Sequence, residues 1–173
     1  MTKKLLVAAA FISAAFLLGS CQKAAVESEV AAAFTAIDGG YLKTGGDGSN
    51  WAMTGFNYDE QRHSPLTLIN DGNVQDLGIA WFADLPDARG QEATPVVVDG
   101  KMFVSTAWSK VFAYDAKTGK PLWSFDPKVD KARGVKACCD VVNRGVAFWK
   151  GSVFVGTIDG RLISLDASTG KQN

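Results

Sequence analysis

The feature that most constrains the fold of this chain is a repeat with an offset of fifty-one residues. Residues 100–120 align with residues 151–171 without a gap, and nine of the twenty-one positions are identical. Asp115 coincides with Asp166, and the Thr-Gly-Lys sequence that follows the first coincides with the one that follows the second. A period of this length, with several short apolar runs in each unit, is typical of β-propeller blades. The sequence therefore predicts an all-β protein built from successive blades.

Turn residues within the repeat indicate where the strands of each blade begin and end. Asp99-Gly100 separates two short apolar runs, which predicts a hairpin with a two-residue turn. We expect a third strand over residues 111–115 and a fourth around Trp123, joined by an Asp-x-x-Thr-Gly turn in which Gly supplies a positive φ. Trp123 is expected to pack one blade on the next. The same buried packing role is predicted for the other four tryptophans, Trp51, Trp81, Trp108 and Trp149.

The second repeat unit stops short of its tryptophan. The equivalent of Trp123 would fall at position 174, one residue past the last residue of the sequence. Propellers usually close with about four to eight blades, whereas residues 51–173 hold at most two or three units of this period. We therefore expect residues 51–173 to be the N-terminal part of a propeller that is truncated within a blade.

The first residues have the organisation of a bacterial export signal. Lys3 and Lys4 precede an uncharged apolar stretch, residues 5–18, and Leu18-Gly-Ser-Cys21 then resembles a lipoprotein cleavage site. The apolar stretch is shorter than the roughly 20 residues that a membrane span requires. We expect residues 1–20 to be a signal peptide, Cys21 to carry lipid, and residues 21–50 to be a tether and loop. The protein is thus predicted to be a membrane-anchored lipoprotein of the periplasm.

Two adjacent cysteines, Cys138 and Cys139, remain after Cys21 is assigned to lipid. They can only pair with each other or stay free, and an oxidising compartment favours pairing. Neighbouring Cα atoms lie about 3.8 Å apart, less than the roughly 4.4–6.8 Å of an ordinary disulfide, so such a bridge would be strained and reducible. It would join no distant segments. It would instead form a small apolar plate suited to a flat ligand.

Charge and histidine content exclude several other functions. Eighteen basic residues balance eighteen acidic ones, so no net field favours nucleic acid as a partner. His63 is the only histidine, and with no cysteine nearby we interpret it as structural rather than as a metal ligand. The sequence also contains no Cys-x-x-Cys-His motif for haem attachment.

Three motifs together resemble the N-terminal part of the methanol and ethanol dehydrogenase family of quinoproteins, and the resemblance covers residues 51–173. They are Gly-Gln-Glu-Ala-Thr-Pro at 90–95, Ala-Tyr-Asp-Ala-Lys-Thr-Gly-Lys-Pro-Leu-Trp at 113–123, and Cys-Cys-Asp-Val-Val-Asn-Arg-Gly at 138–145. The resemblance implies an eight-bladed propeller that holds pyrroloquinoline quinone (PQQ) on its axis beside a Ca²⁺ ion. It also implies oxidation of alcohols to aldehydes, with electrons passing to a cytochrome c or a quinone. The Ca²⁺ ligands, the catalytic aspartate and any haem c domain are expected beyond residue 173, so no catalytic residue or metal ligand is assigned here.

The resemblance also assigns roles to four residues. It implies that the disulfide of Cys138 and Cys139 lies on one face of the quinone. It implies that Arg144 bonds the quinone oxygens and stabilises negative charge, and that Glu92 accepts a hydrogen bond from the cofactor's rim. Two other interpretations remain: Arg144 could be a surface residue paired with Asp140, and Glu92 could be a solvated loop residue.

A second class of protein shares several of these features. Propeller lipoproteins that act as scaffolds in outer-membrane assembly also have an export signal, a tether and similar repeats. The cluster of Cys138, Cys139 and Arg144 distinguishes the two hypotheses, because a scaffold needs no axial cofactor. We therefore favour the enzyme and keep the non-catalytic scaffold as the alternative.

Overall fold

The computed structural model describes residues 33–173 of the chain. The predicted signal peptide, the lipidation site Cys21 and the first part of the predicted tether lie outside the described residues. Within them the helices are short: one α-helix, α1 (Gly39–Thr44), and three 3-10 turns, Val74–Asp76, Ala107–Ser109 and Lys131–Lys136. None of these described helices is long and apolar enough to cross a membrane.

Four antiparallel strands form the first sheet, in the order of the chain: β1 (Val96–Val98), β2 (Lys101–Ser105), β3 (Val111–Asp115) and β4 (Pro121–Phe125). Val98 pairs with Lys101 across the predicted hairpin turn, where Asp99 and Gly100 have φ values of 49° and 70°. Two successive positive φ angles give the turn the twist that adjoining strands require. The predicted hairpin and the third and fourth strands are confirmed.

The second sheet repeats this arrangement. After a separate strand, β5 (Cys138–Val141), the strands β6 (Ala147–Trp149), β7 (Ser152–Gly156) and β8 (Leu162–Asp166) pair in order. Lys101 pairs with Asp115 in the first sheet, and Ser152 pairs with Asp166 in the second, at the same offset of fifty-one residues. The repeat in the sequence therefore corresponds to two consecutive blades of the same register.

The Asp-x-x-Thr-Gly turns have the same hydrogen bonds in both blades. One carboxylate oxygen of Asp115 accepts the backbone N–H of Thr118 at 2.8 Å and its hydroxyl at 2.7 Å. Asp166 accepts the corresponding pair from Thr169, each at 2.8 Å. These hydrogen bonds satisfy donors in the turn that have no partner in a neighbouring strand. This explains why the turn sequence recurs together with the strands.

Apolar residues from both sheets form one core. The ring centroids of Phe103 and Phe148 lie 5.7 Å apart between the two blades, and both side chains are buried. Burial of each such side chain contributes about 1.5–3 kcal/mol to the stability of the fold. Further buried members of this core are Val96, Val98, Val111, Val153, Val155, Ile163 and Leu165.

The part of the predicted tether that the structure describes is packed rather than loose. Ile37 is fully buried in the core, and the ring of Phe34 lies 5.3 Å from that of Phe148. Thr35 donates its N–H and its hydroxyl to the carboxylate of Asp99, at 2.6 and 2.7 Å. The packed unit thus includes residues before the predicted boundary at 51. The few apolar residues in this Ala- and Gly-rich stretch have no periodicity that would have predicted their burial.

The tryptophans follow the packing prediction with one exception. Trp123 contacts the turn of the second blade, and Trp81 makes the same kind of contact with the turn of the first. Trp51 and Trp108 are half-buried. The prediction of burial was wrong for Trp149, which is 38% exposed and has the Lys150 ammonium 5.6 Å from its ring centroid. It lies in β6, at the edge of the second sheet.

Candidate cofactor site

Two segments that are distant in sequence meet where the first sheet begins. Thr94, just before β1, forms an isolated parallel bridge with Gly145, and its N–H donates to the carbonyl of Arg144 at 3.4 Å. Gly145 has a φ of 137°, and a Cβ at this position would lie 3.1 Å from the carbonyl oxygen of Thr94. A glycine is therefore required for the two backbones to approach. The bridge brings the Glu92 segment beside the Arg144 segment.

The two charged residues predicted for the cofactor contact each other. Arg144 Nη2 lies 3.1 Å from Glu92 Oε2, and the two side chains are 67% and 46% exposed. An ion pair this exposed contributes little to stability. Both side chains can therefore turn towards a ligand without cost to the fold, and the guanidinium keeps donors that the single contact with Glu92 does not use.

The alternative partner considered for Arg144, Asp140, is paired elsewhere. Arg89 donates to both carboxylate oxygens of Asp140, with Nε at 3.0 Å from Oδ2. The hydrogen bond from Arg89 lowers the pKa of the Asp140 carboxyl below its usual value. Asp140 also has a φ of 65°, the left-handed region that is uncommon for a residue with a Cβ. The interpretation of Arg144 as the partner of Asp140 is thus wrong.

The two cysteines lie in β5 as exposed free thiols. The pKa of Cys138 is raised, first by its hydrogen bond with Cys139 and next by the charge of that neighbour, whereas the charge of Arg144 acts in the opposite direction. The disulfide between Cys138 and Cys139 stays a prediction.

Asn143 is a residue of this site that sequence reasoning missed. It immediately precedes Arg144, and its side-chain amide contacts residues from both sheets. The serines it contacts, Ser105 and Ser109, are distant in sequence and belong to no motif. Only its position inside the Cys-Cys-Asp-Val-Val-Asn-Arg-Gly motif could have drawn attention to it.

The donor set at this site suits an anionic flat molecule better than a metal ion. A partly free guanidinium and a single carboxylate are in contact on an exposed surface, and two exposed sulfur atoms lie in β5, a few residues before Arg144 in the chain. Within residues 33–173 no three histidine, cysteine or acidic side chains lie close enough together to hold a metal ion. His63 lies exposed in an irregular segment and belongs to no such group.

The repeated blades define the chain as part of a β-propeller. Residues 51–173 match the family described as "PQQ: Glucose/ethanol/alcohol dehydrogenase, beta-propeller domain". The chain belongs to this family, which confirms the resemblance and the propeller fold inferred from its motifs.

Individual relatives agree with this assignment. The chain is 52% identical, over 84% of its length, to the quinohemoprotein alcohol dehydrogenase of Comamonas testosteroni, of which it covers 21%. The crystal structure of that enzyme superposes with a TM-score of 0.75 over 79% of this chain and 20% of that chain. The dehydrogenase subunit of the alcohol dehydrogenase (quinone) of Komagataeibacter europaeus is 57% identical over 70% of this chain and 16% of its own length. The chain thus spans about a fifth of the relatives it matches.

Proposed function

We propose that this chain forms part of a PQQ-dependent dehydrogenase that oxidises alcohols to aldehydes in the periplasm and passes electrons to a cytochrome c or a quinone. One observation carries the proposal: beside the Thr94–Gly145 bridge, Glu92 contacts Arg144, which follows the exposed Cys138 and Cys139 in the same motif. Relatives that are about half identical to this chain are named as quinone-dependent or quinohaem alcohol dehydrogenases, which supports the same reaction.

Each of these residues has a role that its chemistry allows. Arg144 would donate hydrogen bonds to anionic oxygens of the cofactor, and its fixed charge would favour the reduced, more negative form. Glu92 would accept a hydrogen bond from the cofactor's rim while it holds the guanidinium from the other side. Cys138 and Cys139, as a disulfide, would offer an apolar surface without a nucleophilic thiol. The bound quinone would supply the redox chemistry by accepting the hydride of the alcohol.

Calcium and haem belong to the proposal only through the family resemblance. The described residues contain no cluster that fits Ca²⁺, and the sequence has no haem-attachment motif, so we derive no step through either group. The catalytic base is likewise not assigned to this chain.

Export and lipid attachment are a further part of the proposal. The charged start, the apolar stretch and the Leu18-Gly-Ser-Cys21 sequence support attachment to a membrane through Cys21. Replacement of Cys21 by Ser in the intact gene product should move the protein from the membrane fraction to the soluble periplasmic fraction. Retention of Cys21→Ser in the membrane fraction would contradict the anchor.

A titration with PQQ followed by an activity assay tests the enzyme proposal. The intact gene product, produced without PQQ, should bind about one equivalent of the quinone in calcium-containing buffer, and ethanol should then reduce a dye acceptor.

Arg144→Ala should weaken binding about 100-fold, as expected when a charged hydrogen bond worth about 1.5–3 kcal/mol is lost. Lys128→Ala is the control, because Lys128 is also an exposed, paired cation but lies outside the site. Absence of quinone binding by the unmodified protein would reject the enzyme and favour the scaffold.

A further inference from the structure

Arg144 lies in a turn that is held to both sheets by the side chain of Asn143. The Oδ1 atom of Asn143 accepts the hydroxyl of Ser105 at 2.6 Å, and its Nδ2 donates to the carbonyl of Gly156 at 2.8 Å. Ser105 ends β2 in the first sheet, and Gly156 ends β7 in the second. A single amide therefore bridges the two blades directly beside the predicted cofactor ligand.

Three further hydrogen bonds complete this network. Asn143 Oδ1 also accepts the N–H of Gly145 at 3.1 Å, and Nδ2 lies 3.3 Å from the hydroxyl of Ser109. That hydroxyl in turn accepts the N–H of Ile158 at 3.3 Å. Both the oxygen and the nitrogen of the amide therefore form hydrogen bonds. The N–H of Gly145 can only donate and the carbonyl of Gly156 can only accept, so these two groups fix which way the amide faces.

Two serines of the network are buried and Asn143 is partly buried, whereas the arginine beside it is exposed. Ser105 and Ser109 are each 1% exposed, so their hydrogen bonds to Asn143 lie in a protected, low-dielectric environment. Trp108 and Ser109 have φ values of 63° and 58°. This left-handed backbone is uncommon for residues with a Cβ, and here it delivers the Ser109 hydroxyl to Asn143.

The side chain of Arg144 has no comparable restraint of its own. It is 67% exposed, and its ion-pair partner Glu92 is also partly solvated. Its direction is therefore set by its backbone, which is held on one side by the bridge between Thr94 and Gly145 and on the other by Asn143. Loss of the amide would free the turn on one side while the exposed guanidinium remained intact.

We propose that Asn143 is a positioning residue that directs Arg144 towards the cofactor by tying its turn to Ser105 and Gly156. The inference rests on the proposed function, since it requires that Arg144 bind the quinone. Asn143 itself need not touch the ligand, because its amide is already occupied by protein groups.

A double-mutant cycle measured by equilibrium dialysis of PQQ against the intact apo-protein tests this role. Asn143→Ala should weaken PQQ binding about ten-fold, the loss expected when one or two hydrogen bonds no longer hold the turn. Combined with Arg144→Ala, it should add no further loss, because the amide acts through the guanidinium. Equal losses from Asn143→Ala in both backgrounds, or no loss in either, would overturn the inference.

A matched variant separates positioning from stability. Asn50 is likewise an asparagine that joins two segments, and it is buried: it accepts the N–H of Asp99 at 2.8 Å and donates to the Tyr41 hydroxyl at 3.3 Å, away from the site. Asn50→Ala should lower the melting temperature without changing the Kd for PQQ. Equal changes in Kd for Asn50→Ala and Asn143→Ala would overturn the positioning role.

Two results remain informative if Asn143→Ala fails to fold or if no binding occurs. Ser105→Ala removes only the 2.6 Å hydrogen bond to Asn143 and should weaken PQQ binding in the same direction by a smaller factor. An unchanged Kd for Ser105→Ala would count against the inference. Failure of the unmodified protein to bind PQQ would instead reject the proposed function itself, whereas normal binding with unaffected variants would reject only the role of Asn143.

Discussion

The indole of Trp123 lies against Gly170 in the next blade and donates its N–H to the carbonyl of Ala167 at 3.0 Å. Trp81 has the same relationship to Gly119, where an added Cβ would lie 2.6 Å from the ring, as it would at Gly170. Each turn glycine therefore has two functions: it adopts a positive φ, and it leaves room for an aromatic plate. This contact explains why the turn and the tryptophan occur together in the repeat.

Substitution of Gly170 by Ala should destabilise the protein more than substitution of Gly100. The two glycines have nearly equal φ values, 71° and 70°, but no atom lies within 4 Å of a Cβ at Gly100. Gly100→Ala should therefore cost only the left-handed backbone, about 1–2 kcal/mol. Gly170→Ala should cost a further 1–3 kcal/mol or so, because its methyl group would overlap the ring of Trp123.

Thermal unfolding of the intact protein with each substitution measures this difference. We expect the melting temperature of Gly170→Ala to fall below that of Gly100→Ala by several degrees, roughly 2–4 °C per kcal/mol for a domain of ordinary size. Equal melting temperatures would show that the ring of Trp123 can move to accommodate the methyl group. The contact between Trp123 and Gly170 would then not determine how the blades pack.

Replacement of both Cys138 and Cys139 by serine should weaken cofactor retention more than it lowers thermal stability. Both side chains are exposed, so the change removes little buried apolar surface from the fold. If the disulfide of the two cysteines packs flat against the quinone, the serines of the variant would present hydroxyl groups to the ring instead. Dialysis of the loaded protein measures the rate of PQQ loss, and a thermal scan of the same sample measures stability. A large fall in melting temperature with unchanged turnover would contradict this role.

The strands and turns could be predicted from the sequence because their signals are local. The Asp99-Gly100 turn, the Asp-x-x-Thr-Gly turns and the short apolar runs each act within a few residues, and the structure has the turns and strands in the predicted places. The repeat then placed one blade relative to the next. Trp123 packs one blade on the next as predicted, although the turn that it contacts, in the following unit, became known only from the structure.

The contacts within the site could be predicted only in part. Glu92 and Arg144 were each selected through motifs, but their contact depends on the Thr94–Gly145 bridge, a pairing between segments about fifty residues apart. The pairs of Arg89 with Asp140 and of Asn143 with Ser105 also join separate segments, through side chains that have no periodicity. Their formation depends on how the blades pack, which no local pattern determines.

The pair of Arg89 and Asp140 should order the strand that carries the cysteines. Asp140→Ala removes the carboxylate and keeps a Cβ in left-handed backbone, whereas Asp140→Gly removes the carboxylate and relieves that backbone cost. We therefore expect faster amide hydrogen exchange across β5 in both variants, and a lower melting temperature for Asp140→Ala than for Asp140→Gly. Arg89→Ala, which keeps the carboxylate, should reproduce the change in exchange. Unchanged exchange in Arg89→Ala would show that the ion pair does not restrain β5.

A carboxylate in the second blade should make stability depend on pH in the acid range. Asp159 accepts hydrogen bonds from Arg161, with Nη2 at 2.7 Å, and from the hydroxyl of Thr157. These bonds, that of Arg161 foremost, lower the pKa of Asp159 from 3.8 to about 2. Arg161 also donates to the carbonyl of Pro127 at 2.8 Å, so the same cluster joins the second blade to the loop that follows β4.

The sign of this pH dependence follows from the direction of the shift. Because the carboxyl is more acidic in the folded protein, its contribution to stability is complete above about pH 4 and is lost as the pH falls towards 2. Asp159→Asn should therefore flatten the dependence of melting temperature on pH between about 4 and 2. Asp71→Asn is the control, since it removes the same charge from an exposed loop. Equal slopes for Asp159→Asn, Asp71→Asn and the unmodified protein would mean that the Asp159–Arg161 pair does not contribute to the pH dependence of stability.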